Sequence, residues 1–558
     1  MIAIHNKYKS ARNCLLPALI TIPLLGCNGD GNNDSSASTF DLKVDCSVAA
    51  MQAIAPEGSI VQSASIMAAT DNTNEFCAVT AHYMSPGLEG EADSQVNYFI
   101  KLPTKNWNGK LLFQGGGGLV GGTDYGTWDN RNYAIAHTDT GHTRDFMASF
   151  NVPAWALEES GDLYMTRIVD FAHRAVHLST VNTKAFLTAS YDQDIQRSYF
   201  YGGSTGGRQA LVAANRYPDD YDGIIAAYPA LEYDGLMMSF AHNMQLQLRG
   251  PDYYLSQDKL ALIRNGVLAA CDGNDGLTDG IVSDPESCSF NPDVLLCSDD
   301  SDGSECLTPG QINTYRGILQ GPRTSAGESI YKGPEAVSIA DQTGDWPTWI
   351  APAASPIQQE DLSYNFAVQS QPIQALFADV YMKYLFFPTP DASRDYRYFD
   401  FDADPAFRTL LGDQMNAHAN IEAFRAKGGK LIMYHGWSDA VVYPQRTIDY
   451  LNDVANYTGG TGSTDEFARL FMIPGFGHGS LISNAPTVKN HTQIDAERDW
   501  ILALDQWVEE GIAPEHILAT TENDSGEIIL ERPLCPHPQK AIYDGSGDAS
   551  LAESFSCQ

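Results

Sequence analysis

The chain has 558 residues, of which 43% are hydrophobic and 19% charged, and its formal net charge at pH 7 is −36. The composition is that of a packed globular protein, and the length exceeds that of one ordinary compact domain. The negative charge argues against a nucleic-acid-binding protein, because phosphate recognition needs basic patches. The acidic residues are spread along the chain, so we expect an acidic enzyme with a core domain and a second, inserted domain.

The first 27 residues have the features of a bacterial export signal. Basic side chains precede an apolar run from Leu15 to Leu25, which is too short to span a bilayer. The run ends at Leu-Leu-Gly-Cys27, which resembles a lipobox, and residues 28–40 form a polar stretch suited to a flexible tether. We therefore expect a secreted, periplasmic or outer-membrane lipoprotein of a bacterium, attached to the membrane through a lipidated Cys27. Ordinary signal cleavage nearby is the alternative.

Eight further cysteines follow the signal segment. An even number of cysteines in an exported protein predicts disulfide bonds. Neighbours in the sequence are expected to pair in order, although spacing alone does not establish the connectivity. The expected pairs are Cys46 with Cys77, Cys271 with Cys288, Cys297 with Cys306, and Cys535 with Cys557.

Strand-like and helical segments alternate from residue 96 onward, which predicts a largely parallel sheet. This alternation stops after Pro229, where a long region rich in Asp, Gly, Pro and aromatic residues begins, and it resumes at Lys430. The predicted sheet domain therefore comprises residues 41–229 and 425–558, with an inserted lid domain at residues 230–424. The predicted strands are Val96–Leu102, Lys110–Gln114, Tyr133–His137, Ser198–Tyr201, Lys430–Tyr434 and Ala468–Ile473, and the predicted long helix is Tyr164–Ser190.

The segment Gly-Gly-Ser204-Thr-Gly-Gly lies between a predicted strand and an alanine-rich helix. This context is typical of a nucleophile elbow, in which a serine projects from a tight strand-to-helix turn and glycines let the neighbouring backbones approach. The alternative is a glycine-rich loop with an incidental serine. Together with the strand and helix order, the elbow predicts the α/β class, an α/β-hydrolase sheet domain with a large inserted lid domain.

A serine nucleophile needs an imidazole base, and the imidazole needs a carboxylate that fixes its tautomer. In α/β-hydrolases the acid and the histidine follow the serine, in loops after later strands. Asp439 and His478 each follow a predicted strand, in that order. The sequence therefore predicts Ser204, Asp439 and His478 as a catalytic triad. We interpret His435, on the same loop as Asp439, as a loop-stabilising residue, with a catalytic role as the alternative.

Backbone N–H groups should form the oxyanion hole. One is expected from Thr205, directly after the nucleophile, and the other from Gly118 in the glycine run that follows the strand Lys110–Gln114, with the neighbouring glycines as alternatives.

The same glycine run suggests a different class of enzyme. Gly116, Gly118 and Gly121 form a Gly-x-Gly-x-x-Gly pattern, and Asp139 lies after a later strand, as in dinucleotide-binding oxidoreductases. That interpretation leaves the serine, aspartate and histidine loops without a role, so we favour the hydrolase.

Several further stretches are similar to the tannase and feruloyl esterase family, which includes the mono(2-hydroxyethyl) terephthalate hydrolase, and the similarity covers most of the mature chain. The stretches are Trp107-Asn-Gly-Lys110, Thr138-Asp-Thr-Gly-His142, Arg174-Ala-Val-His177, His435-Gly-Trp-Ser-Asp439 and Arg532-Pro-Leu-Cys-Pro536. The resemblance implies an α/β-hydrolase fold, ester hydrolysis and an aromatic ester as the small-molecule substrate.

The chain departs from the family pattern beside the triad. The family usually has a cysteine just before the serine and another just after the histidine, joined as a disulfide, whereas this chain has Gly203 and Gly479. Because both partners are absent together, no free thiol is left, and the triad chemistry remains available. We expect the active site to be more mobile than in the family.

The predicted lid contains a loop from Cys271 to Ile281 that is dense in carboxylates and glycines, which suits Ca²⁺. It is not an EF-hand, because glycine and glutamate are missing from the required positions. It does resemble the family's calcium loop, and a solvated acidic turn is the alternative. The resemblance implies one structural Ca²⁺ held by the side chains of Asp272, Asp275 and Asp279 and the carbonyls of Leu277 and Ile281.

The sequence thus predicts a serine esterase acting on aromatic acid esters through an acyl-enzyme, with no cofactor in the chemistry. Lid aromatics that could line its pocket are Phe377, Tyr381, Phe386 and Phe387. Residues 368–374 match a lid stretch that supplies a carboxylate-binding arginine in the terephthalate-monoester hydrolase, yet contain no Arg or Lys. We therefore expect neutral phenolic esters to be better substrates than that monoester. A monoester hydrolase, an oxidoreductase and a silent phenolic- or glycan-binding protein remain the alternatives.

Overall fold

The computed structural model describes residues 39–70, 73–122, 131–142, 155–298, 302–340, 344–351, 372–479, 496–523, 525 and 527–558. The predicted signal peptide, Cys27, most of the tether and residues 368–371 lie outside these ranges. Thr39–Gln558 form one compact unit, so the boundaries proposed inside it at residues 229 and 424 stay predictions. In the part of the chain that is described, no helix is both long enough and apolar enough to cross a membrane.

The described strands form one large sheet and two small hairpins. The large sheet has the order β1-β2-β3-β5-β4-β6-β7-β8-β9 and is parallel from β5 to β9, which confirms the largely parallel sheet that the sequence predicts. Its strands are β1 Ile60–Met67, β2 Phe76–Ser85, β3 Ser94–Pro103, β4 Lys110–Gln114, β5 Ala134–Thr138, β6 Arg197–Gly203, β7 Gly223–Ala227, β8 Lys430–Gly436 and β9 Ala468–Ile473. The hairpins pair β10 Ile517–Glu522 with β11 Ile528–Leu534 and β12 Ala541–Tyr543 with β13 Phe555–Cys557.

Helices cover both faces of this sheet. Successive residues of β7 point to opposite faces, and Ile224 packs with the helix after the nucleophile, whereas Ile225 packs with the helix near the C-terminus. The described helices are α1 Val48–Ile54, α2 Met165–Val169, α3 Ala175–Tyr191, α4 Thr205–Arg216, α5 Tyr233–Gln247, α6 Gln257–Cys271, α7 Pro309–Gln320, α8 Ile373–Tyr384, α9 Thr409–Met415, α10 Glu422–Ala426, α11 Pro444–Thr458, α12 Thr461–Asp465 and α13 Trp500–Glu510. The predicted helix at Tyr164–Ser190 is present as α2, a π-helical turn and α3.

The insertion between β7 and β8 is more regular than the sequence indicates. It contains six described helices, α5 to α10, where we expected irregular structure. The reason is visible in α5, which is buried on nearly every side and packs against α8. A helix buried all round lacks the amphipathic period that reveals a surface helix.

Candidate active site

Ser204 lies in a sharp turn between β6 and α4, at the carboxyl edge of the sheet. Its backbone has φ 58° and ψ −121°, a conformation that non-glycine residues rarely adopt and that surrounding structure must enforce. The close approach of the turn requires glycine, because a Cβ on Gly202 would lie 2.6 Å from the carbonyl of Gly206. A Cβ on Gly206 would in turn lie 2.9 Å from the backbone of Gly115. The local geometry is therefore that of the predicted elbow.

The structure brings the three predicted triad side chains together. The parallel strands β6, β8 and β9 end at one edge of the sheet, so the loops that follow them meet there. His478 Nε2 is 3.0 Å from Ser204 Oγ, and His478 Nδ1 is 2.8 Å from Asp439 Oδ2. If Nδ1–H donates to the carboxylate, Nε2 is left to accept the serine proton, which is the arrangement of a base-activated nucleophile.

Asp439 is fully buried and is held by its own loop. Its Oδ1 accepts the main-chain N–H groups of Val441 and Val442, each at 2.8 Å. Burial acts to raise the pKa of the Asp439 carboxyl, but the charge of His478 and the hydrogen bonds from His435 and His478 outweigh it and hold the pKa below its usual range. The carboxylate is therefore ionised and oriented towards His478.

His435 contacts the acid but not the nucleophile. Its Nε2 is 2.8 Å from the carbonyl of Val442 and 3.2 Å from Asp439 Oδ2, both acceptors, so Nε2 carries the proton. Its Nδ1 is then free to accept the hydroxyl of Thr447 at 2.8 Å. These bonds fix the acid loop, as the sequence interpretation of His435 requires.

His478 has the electrostatic character of a general base. Burial acts to lower the pKa of its imidazole, but the Asp439 charge and hydrogen bond, together with the charge of Asp345, raise the pKa above 6.5. The ring therefore takes up a proton readily when a hydroxyl proton becomes available.

Both predicted oxyanion donors border the cavity that Ser204 faces. Thr205 is the first residue of α4, and an N–H at that position has no partner within the helix. Its hydroxyl donates to the carbonyl of Gly118 at 2.6 Å, which ties the glycine loop to the elbow. The dinucleotide interpretation of this loop has no support, since Asp139 is buried and accepts the N–H groups of Asn97 and Gly141.

A tyrosine fills the space between Gly203 and Gly479. A Cβ on Gly203 would lie 2.6 Å from the Tyr228 ring, and one on Gly479 would lie 3.2 Å from the Tyr228 hydroxyl. The ring also packs edge-on against His478, with centroids 5.1 Å apart. Tyr228 has no local sequence pattern that predicts this role. The paired loss of both cysteines was the available signal that something else occupies this space.

The cavity at Ser204 has a volume of about 320 Å³ and mostly apolar walls. Of the four aromatic candidates from the sequence, Phe377 borders it, whereas Tyr381, Phe386 and Phe387 pack among themselves and with other lid side chains. No aspartate, glutamate, lysine or arginine is among the described residues that line it. The remaining described side chains of the wall, which the sequence analysis missed, come from Tyr228, Ala230, Tyr233, Leu236, Met237, Phe240, Trp349, Val441 and Val442.

The carboxylate loop of the lid is closed by the Cys271–Cys288 disulfide. Asp272, Asp275 and Asp279 each accept N–H groups of the loop's own backbone, and Asp279 also pairs with Arg532 at 3.3 Å. Among the described residues, no three acidic, cysteine or histidine side chains are gathered as a metal cage. Four of the five predicted ligand residues, all but Asp272, line one small cavity of about 60 Å³ together with Arg532 and Lys540. Carboxylate and carbonyl oxygens are the donor types that Ca²⁺ takes.

Four disulfides join the eight described cysteines in the pairs expected from the sequence. They are Cys46–Cys77, Cys271–Cys288, Cys297–Cys306 and Cys535–Cys557. Such bonds persist in oxidising compartments, which fits an extracellular or secreted protein.

The chain is similar to known esterases over most of its length. The profile of the family described as tannase and feruloyl esterase matches residues 77–558. An uncharacterised esterase of Xanthomonas campestris is 32% identical over 90% of this chain and 86% of its own length. A probable feruloyl esterase of Arthroderma benhamiae is 31% identical, with 87% and 86% covered. The crystal structure of an esterase from Aspergillus oryzae superposes with a TM-score of 0.76 at 26% identity, over 90% of this chain and 98% of that one. The chain therefore belongs to the tannase and feruloyl esterase family of carboxylic ester hydrolases.

Proposed function

We propose that this protein is a serine carboxylesterase that hydrolyses esters of aromatic acids through an acyl-enzyme. The observation that carries the proposal is the hydrogen-bonded chain from Ser204 through His478 to Asp439 beside an apolar cavity. Related proteins named feruloyl esterases support the same substrate class. The comparisons give no support to an oxidoreductase.

In the first half-reaction, Ser204 Oγ attacks the ester carbonyl while His478 Nε2 takes the hydroxyl proton. The negative charge on the former carbonyl oxygen is stabilised by the N–H groups of Thr205 and Gly118. His478 then gives its proton to the leaving alcohol, and the acyl group stays on the serine. In the second half, His478 takes a proton from water, the hydroxide attacks the acyl-enzyme, and the acid leaves as Ser204 is reprotonated.

The walls of the cavity favour an aromatic acyl group. Trp349 and Phe377 stack on each other with centroids 5.7 Å apart, and both border the cavity. An aromatic acid packed against this pair buries its ring against apolar surface and needs no charged partner. Because residues 368–371 lie outside the described part, the ranking of neutral esters above a terephthalate monoester stays a prediction.

The experiment compares the wild type with Ser204→Ala on p-nitrophenyl acetate and methyl ferulate. We expect the variant to lose a factor of about 10⁴ or more in kcat while its circular dichroism is unchanged. Ser438→Ala is the control, since that buried hydroxyl has no hydrogen-bond partner among the described residues. Turnover within tenfold of the wild type by a folded Ser204→Ala protein would disprove the proposed nucleophile.

We further propose a structural Ca²⁺ in the lid loop, with Asp272, Asp275 and Asp279 and the carbonyls of Leu277 and Ile281 as its ligands, on the resemblance of the loop Cys271–Ile281 to the family's calcium loop. Burial raises the pKa of Asp279 and the charge of Asp275 adds to the rise, against the opposing effects of the Ile281 N–H and of Arg532, and a cation would act in the same direction as Arg532. Bound Ca²⁺ would neutralise this charge and stiffen the loop. It has no part in the hydrolytic steps.

A further proposal is export of this protein through residues 1–27 and anchoring through lipidated Cys27. The sequence pattern and the disulfides are its support.

A further inference from the structure

Asp345 is a buried carboxylate of the lid that the hydrolytic mechanism above does not use. Its residue exposure is 4%, and it directly precedes a π-helical turn, Trp346–Ile350, in the insertion between β7 and β8. Buried carboxylates are costly unless their oxygens accept hydrogen bonds, so its partners indicate its role.

Two described partners of Asp345 belong to the two loops that carry the acid and the base of the triad. Its Oδ2 accepts the main-chain N–H of His478 at 2.7 Å. The same carboxylate accepts the main-chain N–H of Ala440, the residue after Asp439. One lid side chain thus bridges the loop after β8 and the loop after β9.

The charge of Asp345 also acts on the triad. Burial and the neighbouring charge of Asp439 raise the pKa of the Asp345 carboxyl to about 7, whereas the charge of His478 and the two N–H donors favour its ionised form. When His478 takes the proton of Ser204, two carboxylates rather than one stabilise the imidazolium. The Asp345 charge stabilises the imidazolium of the transition state more than the neutral imidazole of the ground state, and such a difference lowers the activation barrier.

The turn that begins after Asp345 also forms part of the substrate wall. Trp349, in that turn, borders the cavity and packs edge-on against the His478 ring with centroids 5.8 Å apart. A single short segment of the lid therefore contacts both the backbone and the ring of the catalytic histidine.

We propose that Asp345 is a positioning residue of the triad, which fixes the acid and histidine loops from the lid and, with Asp439, stabilises protonated His478. This inference rests on the proposed serine esterase function.

The test measures kcat/KM and kcat from pH 5 to 9 with p-nitrophenyl butyrate, together with the rate at which a fluorophosphonate labels Ser204. In the wild type, the acid limb of kcat/KM should lie above pH 6.5 because Asp439 and Asp345 both raise the pKa of His478. Asp345→Asn removes the charge but keeps one acceptor. We expect its acid limb to move down by about one pH unit, since a nearby negative charge no longer favours the protonated ring. Its kcat should fall about tenfold, with KM within twofold of the wild type. The kcat of Asp345→Ala should fall roughly 10- to 100-fold, because the two loops lose the carboxylate that positions them.

Asp379→Asn is the matched control. Asp379 is another part-buried lid carboxylate, but its partner is Lys383 on the same helix, so its profile should equal that of the wild type. If the Asp345→Asn protein does not fold, Asp345→Glu replaces it. A lowered kcat with the acid limb of kcat/KM at its wild-type pH supports the proposal, and a wild-type kcat contradicts it. A folded Asp345→Asn enzyme with wild-type kcat and limb overturns the positioning role. Absence of both turnover and labelling in the wild type would instead overturn the serine esterase function itself.

Discussion

Removing the Tyr228 ring should destabilise the turn that carries Ser204 and the loop that carries His478. Glycines stand on both sides of the ring, at positions 203 and 479, so no side chain is present to fill the space that Tyr228→Ala would open. The ring also packs against Tyr434 and Phe476, with centroids 5.9 Å away in each case. The variant therefore creates a cavity inside the catalytic loops rather than on the surface.

The expected magnitude follows from this packing. Replacing a buried aromatic residue by alanine costs about 3–5 kcal/mol, and we expect about 3 kcal/mol here because one side of Tyr228 borders the active-site cavity. The reciprocal change, Gly203→Ala, puts a methyl group 2.6 Å from the ring and should cost about 1–3 kcal/mol by overpacking. In the Tyr228→Ala background that clash is absent, so the same substitution should cost less than about 0.5 kcal/mol.

A double-mutant cycle measures these values by urea unfolding, followed through tryptophan fluorescence. Tyr228→Phe is the control: it keeps the ring, so both stability and kcat should remain near the wild type. In Tyr228→Ala, kcat should fall more than the unfolding free energy alone explains, because His478 loses its edge-on contact. Additive effects of Gly203→Ala and Tyr228→Ala would refute the reasoning, since they would show that the methyl group and the ring do not compete for one space.

Three further predictions concern the lid, the substrate and the N-terminus. Metal analysis of protein purified without chelator should find about one calcium per chain. EDTA should lower the melting temperature of the wild type but not that of Asp275→Asn. A metal-free protein whose melting temperature EDTA does not change contradicts the calcium site. Methyl ferulate should have a higher kcat/KM than the terephthalate monoester, because a carboxylate without a charged donor loses roughly 1.5–3 kcal/mol; the reverse order would indicate a cation reaching the pocket. Labelled palmitate should be incorporated into the wild type but not into Cys27→Ser, and equal labelling rejects lipidation at that residue.

Part of the sheet could be predicted from local sequence, and part could not. The strands at Lys110–Gln114 and Ala468–Ile473 have the predicted bounds, because each is a short apolar run between polar or glycine-rich segments. β1 was missed because most of its residues are exposed and it carries no apolar alternation. β2 does bury alternate residues, but alanine and threonine lie between them, so the sequence lacks the clear alternation of apolar and polar residues that predicts a half-buried strand.

The candidate triad could be proposed from the sequence for a physical reason that does not apply to Asp345 and Tyr228, the residues that hold His478. A nucleophile elbow needs glycine at fixed offsets from the serine, and this need leaves a local pattern around Ser204. Asp345 has no such pattern, since its partner His478 is 133 residues away and an aspartate before a tryptophan occurs in many loops. Tyr228 likewise acquires its role only when β6, β7 and the loop after β9 are assembled. Local chemistry thus indicates the candidate reacting groups, whereas the groups that hold them require the tertiary structure.

Tyr228 and Asp345 both hold His478, but they respond differently to pH. This difference matters because the site lacks a disulfide between positions 203 and 479. Tyr228 holds the ring by packing, which does not depend on pH across the neutral range because burial raises the pKa of its hydroxyl well out of that range. Asp345 holds the main chain through a carboxylate whose pKa is raised to about 7, so its charge is lost as the pH falls through neutrality. A disulfide in the same place would respond to reductant and not to pH. Because this pKa lies above that of an unfolded aspartate, the folded state favours protonated Asp345, and lowering the pH costs the fold no stability through this group. What is lost as the pH falls is the negative charge that stabilises protonated His478, in the same range in which the proposed mechanism loses the neutral imidazole.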